Sequence, residues 1–352
     1  MMSRFATAIA TLAVLAASLG EARAQALVIN GEEIADAKLF AAAKAEGRLD
    51  VYGTYPSENM EKALEPFRKD TGIKLDYVRV PTSRLYDRVV AEFAAGRLEA
   101  DYADLTDLTL LKDWVSRGIL AKHKVPWHDR LAKELRDEQG YWYYVVRPIQ
   151  TIAVNTELVK EADYPKSWKD TLDPKWKGGK LGMPGIDAGG SAMTLFAFLR
   201  MKVDPDYWRK TAALEPRTYA SIAPVVNDLV RGRIAMAYGG ASSFAQQIGK
   251  GAPLKIIFPA EGMAAFGAMG NVTSTAKHPN AAKVLVNYLT SRRGSTFLAQ
   301  TGSYGTHPDA PPPEAAGYKF PPQNQVWNIA PDVWDKIHKT WPEEWKTIFG
   351  KK

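Results

Sequence analysis

Residues 49–57 read Leu49-Asp50-Val51-Tyr52-Gly53-Thr54-Tyr55-Pro56-Ser57, and this stretch sets the fold class. Leu49 to Tyr52 reads as a short strand, and Gly53 to Ser57 is rich in turn formers. Residues 60–69 then repeat apolar side chains at helical spacing, and Thr71-Gly72 ends that helix. Residues 73–80 alternate as a second strand. Ser83 is placed to cap a helix over 85–95 that stops at Gly96, and 108–115 reads as a further helix ended by Gly118. Upstream, 34–45 has helical periodicity. Strands alternating with helices predict an α/β fold, a mostly parallel sheet covered by helices.

A second unit of the same kind begins near Thr151. Ile152-Ala153-Val154 is an apolar strand, and Leu181-Gly182-Met183-Pro184 leads through Asp187-Ala188-Gly189-Gly190-Ser191 into a helix over 192–200. Residues 222–230 read as a helix, 234–238 as a strand, and Ser242 or Ser243 as the cap of a short helix. A strand at 255–258 comes next. Residues 268–272 are expected to return to the first unit, and Pro279 opens a helix that runs to Thr290. The C-terminal tail carries Trp327, Trp334, Trp341 and Trp345, spaced by seven, seven and four, a packing stripe that fixes the tail to a lobe.

Composition limits the function. Met1 to Arg4 is positively charged, 5–19 is apolar, and Ala22-Arg23-Ala24 is a small-x-small site, the three parts of a secretory signal peptide. The apolar run is short for a membrane span. The chain beyond Ala24 is long enough for two domains with separate cores. There are no cysteines, which excludes disulfides, zinc–thiolate sites and thiol nucleophiles. The net charge of +7 is spread along the chain without a basic block, which suits a mild attraction of anionic solutes and argues against nucleic-acid binding.

The stretch 165–178, Pro165-Lys166-Ser167-Trp168-Lys169-Asp170-Thr171-Leu172-Asp173-Pro174-Lys175-Trp176-Lys177-Gly178, resembles a segment of periplasmic solute-binding proteins of ABC importers. It is similar to the branch that includes ferric-ion, thiamine, phosphonate and sugar-phosphate binders. The order of Phe67 to Ile73, Gly118-Ile119-Leu120, Val154-Asn155-Thr156 and Lys277-His278-Pro279-Asn280-Ala281-Ala282 is similar too. The resemblance implies a two-lobed type II periplasmic-binding-protein fold with a hinge of crossing strands. Residues 25–149 and 267–352 would form lobe I, 150–266 lobe II, and 1–24 the signal peptide. It also implies a monomer that takes a small-molecule ligand in the cleft and hands it to ABC permease subunits in the inner membrane, without a cofactor.

The main ligand element is Asp187-Ala188-Gly189-Gly190-Ser191-Ala192, where glycines let backbone approach a ligand and a helix start offers N–H groups to an anion. The resemblance places an anion-holding turn there. Tyr238-Gly239-Gly240-Ala241-Ser242-Ser243 is the second element. Ferric-binding members carry adjacent tyrosines at this strand end, whereas here Gly239 follows Tyr238, so Tyr238 would be the metal ligand only if the ferric alternative held. Thr54, Tyr55, Ser57, Ser83, Thr106 and Asp107 follow strands of the first lobe and complete the candidate set with Tyr219 of the second. Ser, Thr and Asp at such places also serve as caps and turns. Arg147 and Gln150 lie near the proposed crossing. Tyr143 and Tyr144 read as sheet packing.

Enzyme readings find little. Five histidines, at 123, 128, 278, 307 and 338, lack metal-ligand spacing, and Gly189-Gly190-Ser191-Ala192-Met193 lacks the final glycine of a nucleophile elbow. The chain therefore reads as a periplasmic binder of an anionic organic molecule or oxyanion, with a ferric-ion receptor as the alternative and a hydrolase as the least supported. Export with cleavage after Ala24 predicts mature protein beginning at Gln25. Terminal sequencing of periplasmic protein checks this, and recovery of Met1 in the membrane fraction would defeat it.

Overall fold

The computed structural model describes residues 25–350 except Pro56 and Gly189, and the side chains of 57–59 are also outside the description. The signal-peptide reading falls on 1–24, outside the described residues. Among the described residues no helix is long and apolar enough to cross a membrane.

The chain runs β1 (Leu27–Ile29), β2 (Glu32–Ala35), α1 (Ala37–Glu46), β3 (Arg48–Gly53), α2 (Ser57–Thr71), β4 (Lys74–Arg79), α3 (Thr82–Ala94), β5 (Tyr102–Leu105), α4 (Leu108–Ser116), β6 (Tyr143–Val146) and β7 (Ile149–Asn155). It continues through β8 (Leu181–Pro184), α5 (Gly190–Phe198), α6 (Tyr207–Ala212), β9 (Arg217–Tyr219), α7 (Ile222–Val230), β10 (Met236–Gly240), α8 (Ala241–Ile248), β11 (Leu254–Ile257), β12 (Met263–Ala265) and β13 (Ala268–Val272). The last part holds α9 (Pro279–Thr290), α10 (Arg292–Ala299), β14 (Glu314–Ala315), β15 (Tyr318–Lys319), β16 (Val326–Asn328), α11 (Pro331–Ile337) and α12 (Trp341–Phe349).

Two sheets organise the molecule. The first has the order β4-β3-β5-β13-β6, with β3 parallel to β4 and β5, and β13 antiparallel to β5 and β6. The second has the order β16-β12-β7-β10-β8-β9, with β11 also on β7. There β8, β9 and β10 are mutually parallel, and β7 is antiparallel. Because parallel strands share a direction, α2, α3 and α4 all begin at one edge of the first sheet. For the same reason α5, α7 and α8 begin at one edge of the second. The chain crosses directly from strand to strand between the sheets at Arg147-Pro148 and at Phe266-Gly267, and it returns to the second sheet once more through the tail at β16. These crossings lie so close that a Cβ on Gly267 would run into the Val146 carbonyl.

Several elements depart from the sequence reading. The helix expected over 34–45 begins at Ala37, because Asp36 caps it by accepting from Leu39 N. Ser83 caps nothing: α3 begins at Thr82 after Pro81, whose fixed φ already suits that position. Ser242 and Ser243 lie inside α8, with Gly240 at the cap. The tail does not belong wholly to the first lobe as expected. β16 joins β12 in the second sheet, and the tryptophans face second-lobe aromatics: Trp327 on Phe198, Trp341 on Trp208, and Trp345 on Phe196.

Beneath the cleft edge of the first sheet lies a buried acid. Asp104 Oδ1 accepts from the Thr54 amide at 2.9 Å and the Thr54 hydroxyl at 2.7 Å, fixing the turn after β3. Its Oδ2, and the hydroxyl of Tyr102 on the same strand face, are buried without partners. Burial pushes the Asp104 carboxyl up to about 6, against the pull of the Thr54 donors. The native state thus holds this proton more tightly than the unfolded chain, whose ordinary carboxylate titrates near 3.8. Stability is lost as pH rises through that window and stays lost above it. Asp104→Asn keeps an acceptor for Thr54 and removes the charge. It should stabilise at pH 8, by up to about 3 kcal/mol, and the gain should vanish by pH 4. Thermal melts across pH check this, and a pH-independent or negative difference would refute it.

Candidate functional site

The two sheet edges that carry the helix starts meet at a cleft. At Gly190 a Cβ would collide with the Phe266 ring and lie 2.6 Å from the Thr106 carbonyl oxygen, so this helix start touches both the second crossing and the first lobe. Tyr55 OH and Ser303 Oγ are 2.6 Å apart. A Cβ on Gly302 would lie 3.3 Å from Ser242 Cβ. The loop 301–304 therefore bridges the end of β3 and the start of α8. The sequence reading missed Gly302, Ser303 and Phe266. Thr301-Gly302-Ser303 directly after a helix was the available signal for the first two.

The candidates divide by what their side chains already do. Thr54 is buried on Asp104, and Tyr55 accepts from Tyr77 OH through its carbonyl at 2.7 Å while its own hydroxyl meets Ser303. Ser57 begins α2. Ser83 is exposed in the first turn of α3. Thr106 is half-buried, with its hydroxyl 2.6 Å from that of Thr82, which ties together the starts of α3 and α4. Asp107 is spent as a cap, Oδ1 accepting from Thr109 N at 2.8 Å and Leu110 N at 3.1 Å. Gly190 and half-buried Ser191 open α5, and Gly189 is outside the described residues.

Two tyrosines do not serve the cleft as expected. Tyr238 is fully buried in the second-lobe core, edge-on to Trp168, with its hydroxyl 2.6 Å from Thr171 Oγ1 and 3.0 Å from Tyr207 OH. Burial pushes its phenol up to about 12, and the hydroxyl is engaged inside the core by Thr171 and Tyr207 rather than turned to the cleft. Tyr219 donates to Asp228 Oδ2 on α7 at 2.8 Å, which turns it back onto its own lobe. Burial first, and then Asp228, push its phenol up to about 12 as well. Gly239 is buried in β10, where a Cβ would meet Phe244 at 2.8 Å.

Charge around the cleft is peripheral. Arg79 ends β4 and Arg84 lies in the first turn of α3, both exposed at the first-lobe edge. Exposed Arg217 opens β9 at the far end of the second sheet, beside Gly179. A group of carboxylate and imidazole that could hold a metal ion, Asp50, Asp101 and His278, lies at the opposite end of the first sheet. There Asp101 is already occupied by the Asp50 and His278 amides and by His278 Nδ1.

Known proteins share this arrangement. Residues 98–326 match the family model of the bacterial extracellular solute-binding proteins. An uncharacterised protein of Haemophilus influenzae is 24% identical over 276 residues, covering 74% of this chain and 78% of that one. The periplasmic binding protein AfuA of Actinobacillus pleuropneumoniae, solved with fructose-6-phosphate bound, aligns with TM-score 0.63 at 21% identity, over 86% of this chain and 99% of that one. A Bordetella ferric binding protein aligns with TM-score 0.68 at 22% identity, over 86% and 98%. The two-lobed fold expected from the sequence is thus the fold observed, and the chain belongs to the bacterial extracellular solute-binding proteins, the periplasmic receptors of ABC importers.

Proposed function

We propose that the protein captures a small organic anion or oxyanion between its lobes, without turnover, and presents it to ABC permease subunits in the inner membrane. The observation that carries this reading is the opposition of two sets of helix starts across one cleft. The starts of α3, α7 and α8 have no side-chain cap. Their first amides are therefore free to donate, and the helix dipoles add partial positive charge at the same edges. The start of α5 adds Ser191 and a glycine against which the opposite lobe closes. Exposed Arg79 and Arg84 add a positive fringe.

Iron capture fits less well. A curated relative at 23% identity over 39% of this chain is an Fe(3+)-binding periplasmic protein of Serratia marcescens. A hard trivalent ion needs several anionic oxygen donors, and Tyr238, expected to be one of them, faces the core. Calorimetry of mature protein against phosphate, sulfate, carboxylates, organic phosphates and ferric citrate is the test. Saturable 1:1 binding of an anion supports the reading. Tight iron binding with a visible phenolate-to-iron band overturns it.

Closure has its own test. A branched side chain at Gly190 would meet Phe266 and the Thr106 carbonyl. Gly190→Val should lower the melting transition by a few degrees through overpacking on Phe266, enlarge the radius of gyration seen by scattering with ligand present, and weaken binding by at least about tenfold. Unchanged affinity and compactness would show that the lobes do not close on this contact.

A further inference from the structure

At the hinge end of β7 lies a buried polar side chain that the protein leaves unsatisfied. Gln150 is the second residue of β7, just past the first crossing, and pairs with Gly240 on one side and Ala264 on the other. It is 2% exposed, and its Oε1 is buried without a hydrogen-bond partner. Gly240 caps α8 without a side-chain bond. A Cβ on Gly240 would lie 3.4 Å from Ser243 Oγ and 3.9 Å from Gln150 Nε2. The carboxamide therefore lies beside the start of α8, within ordinary contact distance of Gly240 and close to Ser243.

Resting on the reading that the cleft holds an organic anion, we propose that Gln150 is a specificity-determining residue that reads a hydroxyl on the solute next to its anionic group. The atom left unpaired is an acceptor, and it demands a donor. An oxyanion has none and would set negative charge against Oε1. A hydroxyl both donates to Oε1 and accepts from Nε2. In the opposite amide orientation Nε2 would take that place and ask for an acceptor, which a hydroxyl also offers; the preference for a hydroxyl over a bare anion belongs to the orientation described. The α8 amides and Ser243 then remain for the anionic oxygens, so one ligand end satisfies both sets of groups. A site built to bond a hydroxyl discriminates strongly against the analogue that lacks it, because its own buried group is then stranded.

The test uses matched probes on the mature chain: glycerol 3-phosphate against propyl phosphate, lactate against propionate, and inorganic phosphate as the bare anion. Wild-type protein should prefer the hydroxylated member of a pair by at least about tenfold. Gln150→Leu, similar in size without donor or acceptor, should remove that preference and leave the deoxy analogue's affinity within about twofold. The wild-type comparison stands even if the Leu variant fails to fold, and Gln150→Met is a second apolar replacement. Equal binding within both pairs, or a preference that survives Gln150→Leu, overturns the role of Gln150 and leaves the anion receptor standing. Binding of none of the five probes defeats both readings.

Discussion

A positive charge buried where the two crossing strands meet the tail holds the halves of this molecule in register. Arg147 is 1% exposed, and its Nε and Nη2 donate to the Gly305 carbonyl. Nη2 also reaches Gln323 Oε1 at 2.8 Å, and Nη1 reaches Asn328 Oδ1 at 3.1 Å. All these acceptors are neutral. Burial lowers the guanidinium to about 10, which still leaves it protonated at neutral pH. A buried charge without a counter-ion is tolerable only when its donors are satisfied, so these contacts fix their segments tightly.

The cleft inherits its geometry from that junction. The Arg147 backbone exchanges hydrogen bonds with Tyr304 in both directions, at 2.8 and 3.0 Å. One residue earlier, Ser303 meets Tyr55 of the first lobe, and Gly302 lies against Ser242 of the second. Asn328 carries the same hub into β16 and so into the second sheet. The tail is thus part of the hinge. Trp334 continues the bridge, stacking on Phe266 and donating to Thr109 Oγ1 of α4 at 2.9 Å, with Lys112 and Asp335 paired alongside. Lobe closure must carry or break these contacts, which makes the tail as much a determinant of the closed state as the cleft.

This division explains what the sequence made legible. Strand–helix alternation is a local signal, and it placed β3, α2, β4 and α4 within a few residues. It also put the return strand at 268–272 correctly. The parallel order then followed, and with it the two edges of helix starts. Side-chain direction was not legible. Period-two alternation puts Met236, Tyr238 and Gly240 on one face of β10, but whether that face meets the cleft or the core depends on α5 and Trp168, distant in sequence. Tyr238 fell on the core side, while its neighbour in the alternation, Gly240, lies at the strand end beside Gln150 and the start of α8. Asp107 shows the opposite ambiguity: its position was right, and its carboxylate serves the helix behind it. The tail's allegiance failed for a third reason, since a tryptophan stripe announces packing without saying against what.

The distribution of charge suits a receptor that must release what it catches. Exposed guanidiniums such as those of Arg79 and Arg84 act through water, where a unit charge at 4 Å contributes on the order of 1 kcal/mol. They draw an anion towards the mouth without holding it. Arg147, the strong charge nearby, is turned into the hinge and engaged by the tail. What lines the closing faces is backbone amide, serine, tyrosine and a carboxamide, neutral groups whose hydrogen bonds are directional. Such bonds form fully only when both lobes are in place, so opening the hinge breaks them together. Affinity is thereby tied to closure, and whatever pries the lobes apart also frees the solute.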